Sequence, residues 1–160
     1  MEPERLGWKL DWLMRAHTAK DPLSCAAVLV FSSLLRPDEA LGLSWGDVDL
    51  KAGTVLVRRA LTARGMRRPK VPRTVALTWQ SSWVLQGLFD ALPKRAQRDA
   101  AYASCSRPVF CDSDGRRLGR EQFSTWWRER RDGLCMYGWT LADLRKAGII
   151  YAIANAEAGR

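Results

Sequence analysis

Arg36 and Glu39 are the first residues whose types and spacing suggest a chemical site. Arg36 follows an apolar run, Cys25 to Leu35, and Pro37 directly after it can begin a helix, because its missing N–H would be unpaired in a first turn anyway. Residues three apart on a helix face the same way, so the Glu39 carboxylate can lie beside Arg36. An arginine before an acidic helix start is more often an ordinary surface residue, and the pair alone does not choose between these interpretations.

A second candidate site is a long stretch without any acidic residue, Lys51 to Phe89. Charge of one sign over such a length is typical of a protein that binds a polyanion, and the alternative is a solvated basic loop that binds nothing. A membrane surface is a weaker candidate, because the stretch is predicted to form strands and a turn and not an amphipathic helix. Its cations are Lys51, Arg58, Arg59, Arg64, Arg67, Arg68, Lys70 and Arg73.

Length and composition are those of an ordinary soluble globular domain. The 160 residues are 47% hydrophobic and 27% charged, with a net charge of +9, and we expect one domain, 1–160. No signal peptide is predicted, because Glu2 and Glu4 stand where a basic segment would, and the apolar run is far shorter than the ~20 residues that cross a membrane. Four cysteines without a Cys-x-x-Cys pair and a single histidine disfavour a zinc site or disulfides, so we expect reduced thiols, no metal and no cofactor.

The elements that must position these residues follow from hydrophobic periodicity and from turn residues. The first half of the chain is predicted to form three helices and then a β-hairpin over about 54–77. The predicted spans are helices at Glu4–Ala19, Asp21 to about Leu34 and a short stretch from Pro37, strands at Thr54 to about Leu61 and Arg73–Leu77, and a polar tip at Thr62–Pro69.

The second half is predicted to be mostly helical. Together with the hairpin this gives an α+β class, mainly α, with helices packed around a small antiparallel sheet. The predicted spans are a helix from near Thr78 to Pro93, a loop or frayed helix end at Lys94–Ser106, a strand-like run at Pro108–Cys111, a turn at Asp112–Gly115, and helices at Arg120–Arg131 and from Leu141 toward Ala158.

The segment from Leu35 to Leu50, LRPDEALGLSWGDVDL, resembles the first active-site motif of the tyrosine recombinases, the phage-integrase family of DNA breaking and rejoining enzymes. The family pattern is Gly-Leu-Arg-x-x-Glu followed by Leu-x-Trp-x-Asp-Val-Asp. Only the leading glycine differs, being Leu34 here. The resemblance implies that Arg36 is the first active-site arginine and that Glu39 orients it.

Two further motifs extend the resemblance over roughly residues 2–159. The segment Thr-Leu-Ala-Asp-Leu-Arg that ends at Arg145 is similar to the family's second motif, which implies that Arg145 is the second active-site arginine. Lys70, shortly before Arg-Thr-Val-Ala-Leu, matches the hairpin lysine of the family. The hairpin is shorter than usual, so Arg68 or Arg67 could stand in that place. The acid-free charge of this stretch also predicts DNA contacts from the hairpin, by Arg58, Arg59, Arg64, Arg67, Arg68 and Arg73.

The chemistry of the family explains these residue types. Attack on a DNA phosphodiester gives a pentavalent phosphorane, whose non-bridging oxygens two guanidinium groups can clamp. In the family a tyrosine is the nucleophile, a lysine acts as general acid for the leaving hydroxyl, and a histidine of the second motif helps with proton transfer.

The chain departs from the family at several positions. The second-motif histidine is replaced by Ala142, and the third motif and the nucleophilic tyrosine are expected beyond Arg145, where only fifteen residues remain. Tyr151, six residues past Arg145, is too close to match the nucleophile and is predicted to be a core or partner-facing residue. We therefore expect a catalytic domain that is incomplete at its C-terminus, truncated before the third motif and the tyrosine.

These patterns lead to one functional hypothesis and two alternatives. The hypothesis is a DNA-binding catalytic-domain fragment of a tyrosine recombinase, which acts in DNA integration and recombination but does not cleave DNA alone. The alternatives are a non-enzymatic DNA-binding module and a decayed pseudo-recombinase. Expected partners are double-stranded DNA and other recombinase subunits, not a membrane or a metal, in a bacterial or phage-type cytoplasm near the nucleoid.

Overall fold

The computed structural model describes residues 2–159 and confirms the α+β, mainly α class. Within these residues the helices form the bulk of the molecule, and the strands form one small sheet and one short hairpin. The helices are α1 (Pro3–Ala16), α2 (Pro22–Ser32), α3 (Pro37–Leu41), α4 (Trp79–Asp90), α5 (Lys94–Ala100), α6 (Arg120–Arg130) and α7 (Leu141–Glu157).

Helix α2 lies at the centre of the core, since every residue from Leu23 to Phe31 is buried. It packs against α1, α4 and α7. Helix α7 comes close at Gly148, where a β-carbon would stand 2.0 Å from the carbonyl oxygen of Phe31. Burial raises the pKa of the Cys25 thiol in α2 to about 12, so this cysteine stays protonated and unreactive.

The antiparallel sheet has the order β1-β2-β5, and its register pairs Val55 with Val75 and Val57 with Arg73. Side chains alternate between the two faces of strand β2, and Val55 and Val57 lie on the face that is buried in the core. A separate two-stranded ladder, β3 with β4, extends beyond this sheet. The strands are β1 (Val48–Asp49), β2 (Thr54–Val57), β3 (Ala60–Thr62), β4 (Gly65–Arg67) and β5 (Arg73–Ala76).

The predicted hairpin is present, but the prediction of one continuous first strand to Leu61 was wrong. The strand breaks after Val57, where Arg58 and Arg59 turn their side chains to Asp47. The returning segment between β4 and β5 contains two prolines, which cannot donate to a ladder. The hairpin therefore consists of a packed base and an outer ladder that is half-buried at β3 and exposed at β4, joined by unpaired residues.

Other boundaries also differ from the prediction. Helix α1 ends at Ala16, where His17 adopts an extended backbone. Helix α2 ends at Ser32 and not at Leu34, because Leu34 has a left-handed backbone (φ 62°) that cannot continue a helix. Lys94–Ala100, predicted as a loop or frayed end, is helix α5, since most of its residues favour helix. Pro108–Cys111, predicted to be strand-like, forms only isolated bridges. Pro108 pairs with Ser44 and Cys111 pairs with Arg117, and neither pairing continues into a ladder.

No helix among the described residues combines the length and the apolar character that a membrane crossing requires.

Candidate functional site

Arg36 stands at the start of α3, where the chain leaves the core. Its backbone N–H donates to Oε1 of Glu39 at 2.9 Å, which fixes the first turn of the helix. Its side chain is exposed, and within residues 2–159 no carboxylate lies within ion-pair distance of its guanidinium. Glu39 therefore orients the backbone of Arg36 and leaves the charged end of the side chain available.

The guanidinium that Glu39 binds belongs to Arg73 on β5. Nη2 of Arg73 donates to Oε1 of Glu39 at 2.9 Å, and Nη1 donates to Oε2. Burial of the Glu39 carboxyl raises its pKa, but the hydrogen bonds from Arg73 and from the Arg36 amide outweigh this and hold the pKa below its usual value. The sequence interpretation that Glu39 supports the Arg36 side chain needs this correction, since the carboxylate joins α3 to the hairpin.

Arg145 lies one turn into α7. The cap of the helix holds its backbone, and a hydrogen bond holds its side chain. The helix starts with a capping box, in which Thr140 and Asp143 exchange backbone N–H bonds of 2.8 and 3.1 Å. Nε of Arg145 donates to the carbonyl oxygen of Leu34 at 2.9 Å. Burial lowers the pKa of Arg145, and the nearby positive charge of Arg36 lowers it further.

The loop before α7 is held in place by three side chains. Nζ of Lys9 donates to the carbonyl oxygen of Cys135 at 2.8 Å and lies over the ring of Trp139, 5.1 Å from its centroid. The carbonyl oxygen of Trp139 accepts from Trp127 Nε1 at 2.8 Å and from Arg131 at 2.9 Å. These contacts set where α7 begins and therefore where Arg145 points.

Arg36, Glu39, Arg73 and Arg145 gather at one place, and we name them the arginine cluster. The Glu39 carboxylate accepts hydrogen bonds from the Arg73 side chain and from the Arg36 backbone N–H. Arg145 donates to the carbonyl oxygen of Leu34, two residues before Arg36, so it lies beside the same turn of the chain. Among residues 2–159 only Arg73 forms an ion pair with Glu39, so the positive charges of Arg36 and Arg145 have no carboxylate partner there. Such an arrangement suits an anion with several oxygen atoms.

Lys70 and Arg68 lie elsewhere on the hairpin. Together with Arg58, Arg59 and two prolines they line a concavity of about 450 Å³. Both side chains are exposed, and no contact among the described residues joins either of them to Arg36 or Arg145. The structure therefore brings two of the three predicted catalytic residues together, and the catalytic role of Lys70 stays a prediction.

The other arginines predicted to contact DNA differ in solvent exposure and in their ion pairs within the protein. Arg64 and Arg67 are exposed on the outer ladder. Arg58 Nε lies 2.7 Å from Asp47 Oδ1, and Arg59 Nη1 lies 3.2 Å from Asp47 Oδ2. The Arg59 side chain is only 16% exposed, so part of its hydrogen-bonding capacity is already used inside the protein.

Comparisons with known proteins identify a family and a fold. The family model described as "Phage integrase family" matches residues 11–147. The chain belongs to this family. No curated protein was found to match it. Among solved structures, a Tn1549 transposon integrase in complex with transposon right-end DNA has a TM-score of 0.68 at 16% identity, covering 100% of this chain and 54% of that one.

Two further structures have the same fold. A Tn1549 integrase in complex with a circular intermediate DNA has a TM-score of 0.71 at 14% identity, covering 99% of this chain and 53% of the other. The XerA recombinase has a TM-score of 0.64 at 14% identity, covering 95% of this chain and 50% of the other. The present chain thus spans about half the length of the integrase-family structures that it matches.

The positions at which the chain departs from the integrase pattern can now be placed. Ala142, predicted from the motif to stand at the position of the family's histidine, is exposed on the first turn of α7. Tyr151 packs inward, with its ring centroid 6.0 Å from that of Phe31 and its edge 3.5 Å from where a β-carbon of Gly7 would be. Tyr151 thus joins α7 to α1 and α2, and it is partly buried against the core.

Two functional details of this integrase-family domain were missed by sequence reasoning. Asp47, in the Trp-x-Asp-Val-Asp tail, holds Arg58 and Arg59 and accepts the Ser44 N–H at 3.0 Å. Arg117 donates to the carbonyl oxygens of Leu41 and Leu43, both at 2.7 Å, at the end of α3. The match of the tail to the family was a signal for Asp47, whereas nothing in the local sequence distinguishes Arg117.

Proposed function

We propose that the chain binds duplex DNA through its sugar–phosphate backbone and that the arginine cluster holds one phosphate. The single observation that carries this proposal is the hydrogen bond of 2.9 Å from Arg145 to the carbonyl oxygen of Leu34, which brings Arg145 to the segment of Arg36, beside an arginine–glutamate pair. A phosphodiester offers two non-bridging oxygens, and planar guanidinium groups are the side chains best suited to bind them in pairs.

We infer further that this phosphate site is that of a tyrosine-recombinase catalytic domain, which acts in DNA integration and recombination. Membership of the phage integrase family supports this proposal, as does the fold shared with integrases solved in complex with DNA. In this function Arg36 and Arg145 would stabilise the charge of the phosphorane, and the Glu39–Arg73 pair would keep the start of α3 in position.

The proposed binding of duplex DNA leads to a proposal for the partners and the cellular location of the chain. Since the ligand is duplex DNA, we propose a bacterial or phage-type cytoplasm near the nucleoid, with other recombinase subunits as partners. We propose that residues 1–160 act as one domain, which the central packing of α2 against α1, α4 and α7 supports.

A second candidate function is a DNA-binding module without cleavage chemistry. The observation that favours it is the inward packing of Tyr151 against Phe31, which keeps this tyrosine engaged in the core. Ala142 supports the same candidate, because a methyl group can neither donate nor accept a proton.

The test of DNA binding is a salt titration with a duplex of arbitrary sequence. We expect the logarithm of the binding constant to fall linearly with the logarithm of salt concentration, by ~0.9 per phosphate neutralised. Arg36→Ala should reduce that slope by about one phosphate, ~0.9. The matched control is Arg15→Ala, an exposed arginine on α1 that removes the same charge and should change the slope much less. Binding that is undetectable at low salt, or independent of salt, would contradict the proposal.

A further inference from the structure

Arg117 lies between α5 and α6 and turns its guanidinium into the protein. Its Nη1 donates to the carbonyl oxygens of Leu41 and Leu43, both at 2.7 Å. Leu41 is the last residue of α3, and the carbonyl group of a last residue has no partner within its helix. Burial lowers the pKa of Arg117, and the positive charge of Arg59 lowers it further. Hydrogen bonds thus hold Arg117 at the end of α3 in a setting that is unfavourable to its charge.

One buried hydroxyl joins Arg117 to the hairpin. Nη2 of Arg117 donates to Oγ of Ser44 at 2.8 Å, and Nη1 of Arg59 donates to the same oxygen at 2.5 Å. A hydroxyl oxygen has two lone pairs and can accept both bonds. Ser44 is 0% exposed, so no solvent reaches this hydroxyl to replace either donor. We name Ser44, Arg59 and Arg117 the Ser44 junction.

The Ser44 junction and the Glu39–Arg73 pair fasten α3 to the hairpin near both ends of the helix. In the first turn, Glu39 binds Arg73 of β5. Just past the last turn, a β-carbon on Gly42 would stand 2.5 Å from the carbonyl oxygen of Arg59, so the two backbones are in direct contact. Helix α3 also packs against β3. We therefore expect α3 to keep one orientation relative to the hairpin.

We propose that Arg117 is a positioning residue for the arginine cluster: it holds the end of α3 against the hairpin and so fixes where Arg36 meets a DNA phosphate. Arg117 acts through the backbone of α3 and does not touch DNA, because both of its terminal nitrogens already donate to Leu41, Leu43 and Ser44. The inference rests on the proposed DNA binding and deepens it, since it names a residue on which that phosphate site depends.

The test is a cycle of variants, measured by the affinity for a 20-base-pair duplex over a range of salt concentrations. Arg117→Met removes the guanidinium and keeps an apolar stem, and it is combined with Arg36→Ala. The control is Arg107→Met, which removes the same charge from another half-buried arginine. Nε of Arg107 has no hydrogen-bond partner among residues 2–159.

Thermal unfolding measures the stability of each variant. If Arg117→Met does not fold, Ser44→Ala takes its place in the cycle. This change removes the acceptor that Arg59 and Arg117 share, and it removes no charge.

A positioning role predicts that the two changes are not additive. Arg117→Met should bind the duplex about tenfold more weakly than the Arg107→Met control, because Arg36 is displaced from the phosphate. For the same reason Arg36→Ala should lower the salt slope by ~0.9 in the unchanged protein and in the control, but by ~0.4 or less in Arg117→Met. A loss of folded protein alone lowers the affinity by one factor at every salt concentration and leaves the effect of Arg36→Ala unchanged.

Two results would overturn the inference. One is an equal effect of Arg36→Ala on the slope in all three backgrounds, and the other is an affinity of Arg117→Met that matches the control. In both cases the unchanged protein still binds DNA with a salt slope, so the proposed function stands. If the unchanged protein shows no salt-dependent binding, the proposed function itself fails, and the inference fails with it.

Discussion

Arg145 and Leu34 are joined by a hydrogen bond of 2.9 Å between the arginine Nε and the leucine carbonyl oxygen, across 111 positions of sequence. Leu34 stands two residues before Arg36, so this bond ties the start of α7 to the start of α3. The left-handed backbone of Leu34, with φ 62°, turns the chain at the end of α2. The geometry of the arginine cluster therefore depends on how α7 packs against the end of α2.

The packing of α7 on α2 predicts that Gly148→Ala destabilises the protein. The new β-carbon would meet the Phe31 carbonyl oxygen at 2.0 Å, and a backbone atom cannot move aside cheaply. We expect a loss of about 3 kcal/mol in the free energy of unfolding, measured by urea denaturation. The control is Gly87→Ala on α4, where no atom lies within 4 Å of the new carbon. This change should stabilise the helix by about 0.5–1 kcal/mol. Equal effects of the two substitutions would contradict the packing.

The Glu39–Arg73 pair predicts a pH-dependent stability. The folded-state pKa of Glu39 is lowered, so its contribution is complete above the unfolded-state pKa of about 4.3 and is lost as the pH falls through the folded value. Glu39→Gln should cost about 2 kcal/mol near neutral pH, and the difference from the unchanged protein should shrink in acid. Urea denaturation between pH 7 and pH 3 measures this. The control Glu121→Gln changes an exposed carboxylate and should be nearly neutral. A Glu39→Gln effect that is constant over this range would rule the pair out as its cause.

Asp47 is predicted to be a structural anchor of the hairpin. Asp47→Asn removes the buried negative charge that pairs with Arg58 and Arg59. Removing one partner of a buried ion pair lowers the free energy of unfolding by about 3 kcal/mol. Asp49→Asn is the matched control, because Asp49 is exposed and asparagine can still accept the Ala52 N–H. The measurement is the midpoint temperature of thermal unfolding of the two variants. Equal midpoints would show that Asp47 does not hold the hairpin.

The inward packing of Tyr151 predicts that the chain as given forms no covalent adduct with DNA. A nicked suicide substrate should trap no protein–DNA band on a denaturing gel, since Tyr151 is held against Phe31 and Gly7. A band that disappears in Tyr151→Phe would prove Tyr151 to be the nucleophile and would require α7 to move. Tyr102→Phe and Tyr137→Phe, both exposed tyrosines, serve as controls.

The helices were predictable where an apolar period was strong. Phe123, Trp126 and Trp127 gave one face of α6, and all three are buried in the structure. The capping pair Thr140 and Asp143 likewise lies at the start of α7, where the spacing predicted a helix. Local patterns of this kind determine secondary structure because they require no knowledge of distant contacts.

The connections of the site were less predictable. The spacing of Arg36 and Glu39 indicated that they are neighbours, but not that the carboxylate binds Arg73, because that contact spans 34 positions and has no period. The break of the hairpin strand at Arg58 depends on Asp47 for the same reason. Ion pairs between residues far apart in the sequence decide which arginines are bound inside the protein. No local sequence pattern predicts these pairs.

The close contact at Gly148 also has a consequence for motion. Because no side chain separates α7 from the end of α2 there, one helix cannot open without uncovering the other. We expect the amide hydrogens of α2 and α7 to exchange with solvent as a single cooperative unit, more slowly than those of the exposed strand β4. Arg145 would then leave the arginine cluster whenever this unit opens, while strand β4 fluctuates on a shorter timescale.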